Sequence, residues 1–346
     1  MNVPDYVPTP LEDPPAHLAA GWAHTAFVTQ SGKTILCGRA IDMRNALRFG
    51  KLAQSRPRWA TFWTQYLGGK GSIDFPEPTS VSGNLKCRII SASAGLTVGI
   101  TEEGSGFAIG ANRYGQTGTE NVTDDRPVFS ALPIKLPEGA AKLMDISAGH
   151  QNVCAVDIVG NIYSWGKGDR GQSGRGEDGV KESPSRLPVK LQPFDSDGIR
   201  SVRCGFFHCL ALSRSGKVYV WGRQQLDGGT KDALVPTVVQ GLPPVVEIAC
   251  GQYHSVARDV EGNVYQWGLR PFDLGGDFIG NPQRIPGVPS GAQSLSCGFT
   301  ESAAIVDGAV FVWDWKDMRA RPMKELEGFR VEQLAFGWQH KAALVV

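Results

Sequence analysis

Four histidines stand in one repeated context: His24, His208, His254 and His340 each follow a glycine by three residues, as Gly-x-x-His. Imidazole is the commonest protein metal ligand, so a metal centre is the first chemistry to weigh. Equivalent positions of successive repeats lie around a ring, however, and cannot converge on one ion at ~2.1 Å. The pattern implies buried histidines that tie strand to loop through hydrogen bonds, and no metal site is expected. Cys204, Cys250 and Cys297 share a second slot, directly before the core glycine, which Ala20 and Ala148 fill elsewhere. A position that takes Ala or Cys wants a small apolar group, and nothing common to the three copies would lower a thiol pKa. The glycine-rich stretch 166–176 follows a strand and leads to a proline-containing loop without G-K-[ST], which excludes a phosphate-binding loop. With no hydrolase or oxidoreductase motif, the chain reads as a non-enzyme without a cofactor.

These residues belong to a longer unit. Its clearest copies are Val-Arg-Cys-Gly-Phe-Phe-His-Cys-Leu-Ala-Leu (202–212) with Ser-Gly-Lys-Val-Tyr-Val-Trp-Gly (215–222), and Ile-Ala-Cys-Gly-Gln-Tyr-His-Ser-Val-Ala (248–257) with Glu-Gly-Asn-Val-Tyr-Gln-Trp-Gly (261–268). Each reads strand, strand, turn, strand. Cores align on Gly21, Ser93, Gly149, Gly205, Gly251, Gly298 and Gly337, whereas the Trp-Gly half occurs only six times, at Gly38, Gly110, Trp165, Trp221, Trp267 and Trp313. The spacing suits four-stranded propeller blades, and 43 glycines and 22 prolines suit short strands joined by tight turns. Seven cores predict an all-β, seven-bladed β-propeller forming one domain over residues 1–346. Because Val7-Pro8-Thr9-Pro10 parallels Val235-Pro236-Thr237-Val238, the N-terminal strand is expected to close the ring by completing the last blade.

The unit resembles the regulator of chromosome condensation (RCC1-like) repeat, G-x-x-H-x-x-A-L, a glycine turn, V-Y-x-W-G and N-x-x-G-Q-L-G. The resemblance is strongest over 146–268, with Gly-Lys-Gly-Asp-Arg-Gly-Gln-Ser-Gly at 166–174 and the similar Ala-Asn-Arg-Tyr-Gly-Gln-Thr-Gly at 111–118. Leu96 and Glu301 replace the histidine in the second and sixth copies. The resemblance implies the propeller fold. It also implies a second functional reading, guanine-nucleotide exchange on a small Ran-like GTPase, with Arg113, Asp169 and Arg170 in charged loops.

Function does not follow from a fold that hosts many activities, so the leading expectation is a non-catalytic protein-interaction propeller, a scaffold, regulatory or assembly factor. The two residues after each core glycine should lie on one face of the disc, and they include Trp22, Phe206, Phe207, Tyr253, Phe299 and Trp338. Aromatic side chains on rigid loops make good interface anchors. Residues 39–80, between the first two copies, form an insertion with a basic stretch. There Trp59, Phe62, Trp63, Tyr66 and Leu67 recur at helical spacing, which predicts a partly helical element and adds Trp59 and Trp63 to the candidate partner-binding residues. Through that insertion RNA binding is a third reading, with a mitochondrial, ribosome-associated role. A net charge of +1 supplies no global field for a polyanion. No apolar run approaches the ~20 residues that span a bilayer, and seven cysteines without a C-x-x-C pair fit a reducing intracellular compartment, cytoplasm or nucleus.

Overall fold

The repeated unit folds as its alternating pattern dictates. The computed structural model describes residues 13–346 except 41–72, 82, 84, 120–127, 193, 224–231, 270–277, 316 and 339. Six antiparallel sheets have four strands in up-and-down order. They are β1 (Pro15–Ala20), β2 (His24–Thr29), β3 (Thr34–Ala40) and β4 (Ile73–Ser80); then β5 (Cys87–Ser93), β6 (Leu96–Thr101), β7 (Gly106–Gly110) and β8 (Val128–Pro133). The third and fourth blades are β9 (Leu143–Ala148), β10 (Asn152–Asp157), β11 (Ile162–Gly166), β12 (Ser185–Lys190), and β13 (Ile199–Cys204), β14 (His208–Ser213), β15 (Val218–Gly222), β16 (Ala233–Val238). The fifth and sixth are β17 (Val245–Cys250), β18 (His254–Asp259), β19 (Val264–Leu269), β20 (Phe278–Arg284), and β21 (Ser294–Cys297), β22 (Glu301–Val306), β23 (Ala309–Asp314), β24 (Arg321–Pro322). A two-stranded hairpin follows, β25 (Val331–Phe336) and β26 (Lys341–Val345). Helix among the described residues is confined to α1 (Gly176–Lys181) and a 3-10 turn at Lys324–Leu326, and no helix there is long and apolar enough to cross a membrane.

The propeller class agrees with the sequence reading, but the blade count does not: among the described residues there are six complete blades, not seven. A four-stranded blade needs the Trp-Gly half of the unit as well as the core, and the core at Gly337 makes only the hairpin. Counting cores therefore overcounts blades. The strand expected to close the ring, at Val7–Pro10, falls outside the described residues. β1 is the first strand of the first blade, paired with β2, and the hairpin sheet contains no third strand among the described residues. The residues that carried the helical expectation, Trp59 to Leu67, lie outside the described residues, and the described ends of the 39–80 insertion are strand. β3 runs to Ala40, and 73–80 is β4, the outermost strand of the first blade.

The first strand of each sheet touches that of the next, and both strands of the hairpin touch β1, so the ring closes. One slot pair carries the closure. The residue three after each core glycine meets, in the next sheet, the residue four after that sheet's core glycine. His24 Nε2 lies 3.0 Å from Thr97 Oγ1, His208 Nε2 3.1 Å from Ser255 Oγ, His254 Nε2 2.7 Å from Ser302 Oγ, and His340 Nε2 2.9 Å from Thr25 Oγ1. Where the histidine is absent the tie changes chemistry and keeps its place. Asn152 Nδ2 donates to Cys209 Sγ at 3.1 Å, Glu301 pairs with Lys341 at 3.0 Å, and Leu96 and Val153 share an apolar cluster. The histidines thus tie blade to blade, more than strand to loop. Trp165, Trp221, Trp267 and Trp313 are buried against the preceding blade, each a change to Ala of ~3–5 kcal/mol. Trp165 and Trp221 donate their indole N–H to the backbone carbonyls of Gln116 and Gln172, and Trp313 to the Gln266 side chain.

Candidate functional site

Two kinds of connection meet on one face of the disc. The loop between first and second strands carries the core glycine, and the chain leaving the third strand starts beside it. Gly222, at φ +95°, shows why glycine is required at that exit, since a Cβ would collide with the Phe207 carbonyl. The next residue continues the contact: Arg223 N–H donates to Phe207 O, Lys167 N–H to Gln151 O, and Leu269 N–H to Tyr253 O. Every strand-three exit therefore opens on the face that holds the two residues after the core glycine.

Those residues form a crown around the central pore. Trp338 stacks on Phe299 at 4.8 Å between ring centroids and meets Trp22 edge-on at 3.8 Å. Trp22 reaches His150 at 4.7 Å, and His150 contacts Phe206 at 3.4 Å. Phe206 contacts Phe207 at 4.5 Å and Tyr253 at 5.6 Å. The six aromatic residues singled out in the sequence are thus joined in one cluster, through His150. All six are half-buried, whereas His150 is buried, and burial holds its imidazole well below the usual range and so neutral. Backbone bonds between sheets fix the crown: His150 N–H to Gly205 O, Phe206 N–H to Gln252 O, Gln252 N–H to Gly298 O and Trp338 N–H to Gly21 O. Beneath it lies a cavity of about 100 Å³, lined by Cys204, Cys250 and Cys297 as well as crown residues.

Charged groups stand on the rim. The Arg113 guanidinium and the Lys167 ammonium both lie over the Tyr114 ring, at 5.4 and 5.2 Å, and Lys167 pairs with the exposed Asp169 at 3.0 Å. Arg170 and Arg223 both pull on the Asp232 carboxyl, which burial nevertheless raises. Arg223 also reaches over Phe207 at 6.0 Å, linking rim to crown. Arg113, Asp169 and Arg170 are therefore on the crown's face but in two groups, and Trp59 and Trp63 lie outside the described residues. Sequence reasoning missed Tyr114, Lys167 and Arg223. Their signal was position: Tyr114 occupies in 111–118 the slot that Arg170 occupies in 167–174, and Lys167 and Arg223 each follow a Trp-Gly.

The model of the regulator of chromosome condensation (RCC1) repeat matches residues 159–212 and 215–258, and a second model of that repeat matches 199–226. These matches run from the third unit into the fifth and include Phe206, Phe207 and Tyr253 of the face just described. The chain carries RCC1 repeats. It is 26% identical over 230 residues to the ultraviolet-B receptor UVR8 of Arabidopsis thaliana, covering 65% of this chain and 46% of the receptor. The chain spans less than half the length of the curated relatives it matches. Among solved structures, human WBSCR16 superposes with a TM-score of 0.77 at 20% identity, over 97% of this chain and 88% of that one. Prp20p of Saccharomyces cerevisiae does so with a TM-score of 0.71 at 16% identity, over 95% and 82%. At such identities the superpositions establish the RCC1-type propeller alone.

Proposed function

We propose that this RCC1-type propeller is a non-catalytic interaction module that offers the aromatic crown and charged rim to a protein partner. One observation carries the reading: a continuous aromatic cluster, half-buried and held by bonds between neighbouring sheets, shares its face with every strand-three exit. Rigid aromatics bury much area at small entropic cost, and hot spots concentrate in such residues. The reading places the chain inside the cell, in cytoplasm or nucleus, where its seven free thiols stay reduced. Affinity purification from the native cell with Trp22→Ala plus Trp338→Ala tests it. Partner recovery is expected to fall sharply for a variant that keeps wild-type circular dichroism; undiminished recovery removes the crown from the account.

A second reading is nucleotide exchange on a small GTPase, favoured by the fold it shares with Prp20p, whose structure is described together with binding properties to Gsp1p and histones. Arg113, Asp169 and Arg170 on the rim would then contact the GTPase. Accelerated nucleotide release across a panel of GTPases, lost on Asp169→Ala plus Arg170→Ala, is the expected result; no acceleration leaves the first reading alone.

A further inference from the structure

Behind the pore wall, between the third and fourth blades, three thiols converge from three different repeat slots. Cys204 ends β13, Cys209 pairs with it across β14, and Cys154 comes from β10 of the neighbouring blade. Cys209 Sγ lies 3.5 Å from Cys204 Sγ and 3.7 Å from Cys154 Sγ, and all three sulfurs are within 4.8 Å of one another. Sulfurs that share one ion at the ~2.3 Å of thiolate sites stand roughly 3.8–4.0 Å apart, so the two distances made by Cys209 already match within a few tenths of an ångström, and the third, between Cys154 and Cys204, is no more than 4.8 Å. Their surroundings are apolar, Val156, Ile162, Leu191, Ile199 and Val202 among them. Polar neighbours are the Gln172 carbonyl, 3.7 Å from Cys209 Sγ, the Ser147 hydroxyl, which accepts from Cys204 N–H, and Asn152, 1% exposed, whose Nδ2 donates to Cys209 Sγ while its Oδ1 has no partner. Cys204 lines the pore cavity, which gives an ion a path from solvent.

We propose that Cys154, Cys204 and Cys209 form a site for one soft, thiolate-seeking ion of the copper(I) class. Thiolates select soft ions, and three sulfurs without a fourth strong donor suit a three-coordinate cation better than zinc, which takes four ligands. Binding displaces protons from the ligating thiols to solvent and changes no oxidation state. Two ionised sulfurs and one thiol around a monovalent ion leave a single negative charge, and the Asn152 amide N–H is placed to donate to it.

The repeat supplies variants that mimic other blades. Cys209→Ser copies Ser255 and Ser302, Cys204→Ala copies Ala148, and Cys154→Ala copies Ala26. Reduced protein is titrated anaerobically with copper(I) against a chromophoric cuprous chelator, and its melting temperature is followed. The wild type should take one equivalent at least 100-fold more tightly than each variant and melt higher when loaded. Cys250→Ala and Cys297→Ala, on the same pore wall, should bind as the wild type does. The proposal is overturned if the wild type takes no tight equivalent, if the three folded variants keep it, or if Cys250→Ala and Cys297→Ala lose it equally.

Discussion

The two faces of the disc are built from the same strands yet spend their polar groups differently. On the turn face, between second and third strands, the carboxylate of Asp157 accepts the backbone N–H of Val159, Gly160 and Asn161, the Asn161 amide and the Tyr163 hydroxyl. Asp259 repeats the arrangement with Glu261, Asn263 and Tyr265. That face is satisfied within itself, and its exposed apolar residues, such as Val159 and Val260, stand on separate blades. The crown face is tied underneath by neutral histidines and leaves its aromatic rings half-buried. One face closes on itself and the other keeps its aromatic rings partly open to solvent.

Acid should separate the faces most strongly. Burial depresses His24 and His208 to about 4 and His254 to about 3. Above about pH 6.5 both folded and unfolded chains hold these rings neutral. As pH falls below that, the unfolded chain takes up protons that the folded chain refuses, so stability drops until about pH 4, by up to ~1.4 kcal/mol per unit for each histidine. Asp157 and Asp259, although burial opposes it, are lowered by hydrogen bonds led by those from Asn161 and Asn263. The turn face therefore keeps its support until pH falls to the ordinary carboxylate value of about 4, and loses it from there down to the lowered folded value. Urea titrations across pH should show the first loss well above the second. His254→Asn, which copies Asn152, should flatten the first; an unchanged slope would break the comparison.

The next largest effect is on binding. Phe206→Ala with Phe207→Ala should weaken the partner by about 2 kcal/mol or more, roughly 30-fold, whereas Val159→Ser with Val260→Ser should leave affinity unchanged in a titration with the purified partner. Asp157→Ala should cost about 1–3 kcal/mol of stability by leaving buried donors unpaired, and still bind at full affinity. Smallest is Glu301→Gln. Its ion pair with Lys341 is partly exposed on both sides, so its loss should cost under about 1 kcal/mol and less at high salt, in denaturation at two ionic strengths.

The repeat, the propeller class and the shared face of Trp22, Phe206, Tyr253 and Trp338 were legible because they depend on slots within one unit. What failed depended on relations between units. Gly337 carries a good core, yet a core alone forms two strands, so six blades stand where seven were expected. The tie from Asn152 to Cys209 was hidden because neither residue matches the histidine–hydroxyl pair it replaces. The convergence of Cys154, Cys204 and Cys209 was invisible for the same reason: three unlike slots meet only when β10 packs on β13. Tyr114 was overlooked because its role comes from Lys167 in the neighbouring blade.

The central claim, that the partner covers the crown face, is tested most directly by hydrogen exchange of the free chain and its complex. The account predicts new protection at the amides of 22–23, 150–151, 206–207, 252–253, 299–300 and 338, with the turns at 158–161 and 260–263 unchanged. Protection at those turns, with the crown amides exchanging as in the free chain, would contradict it.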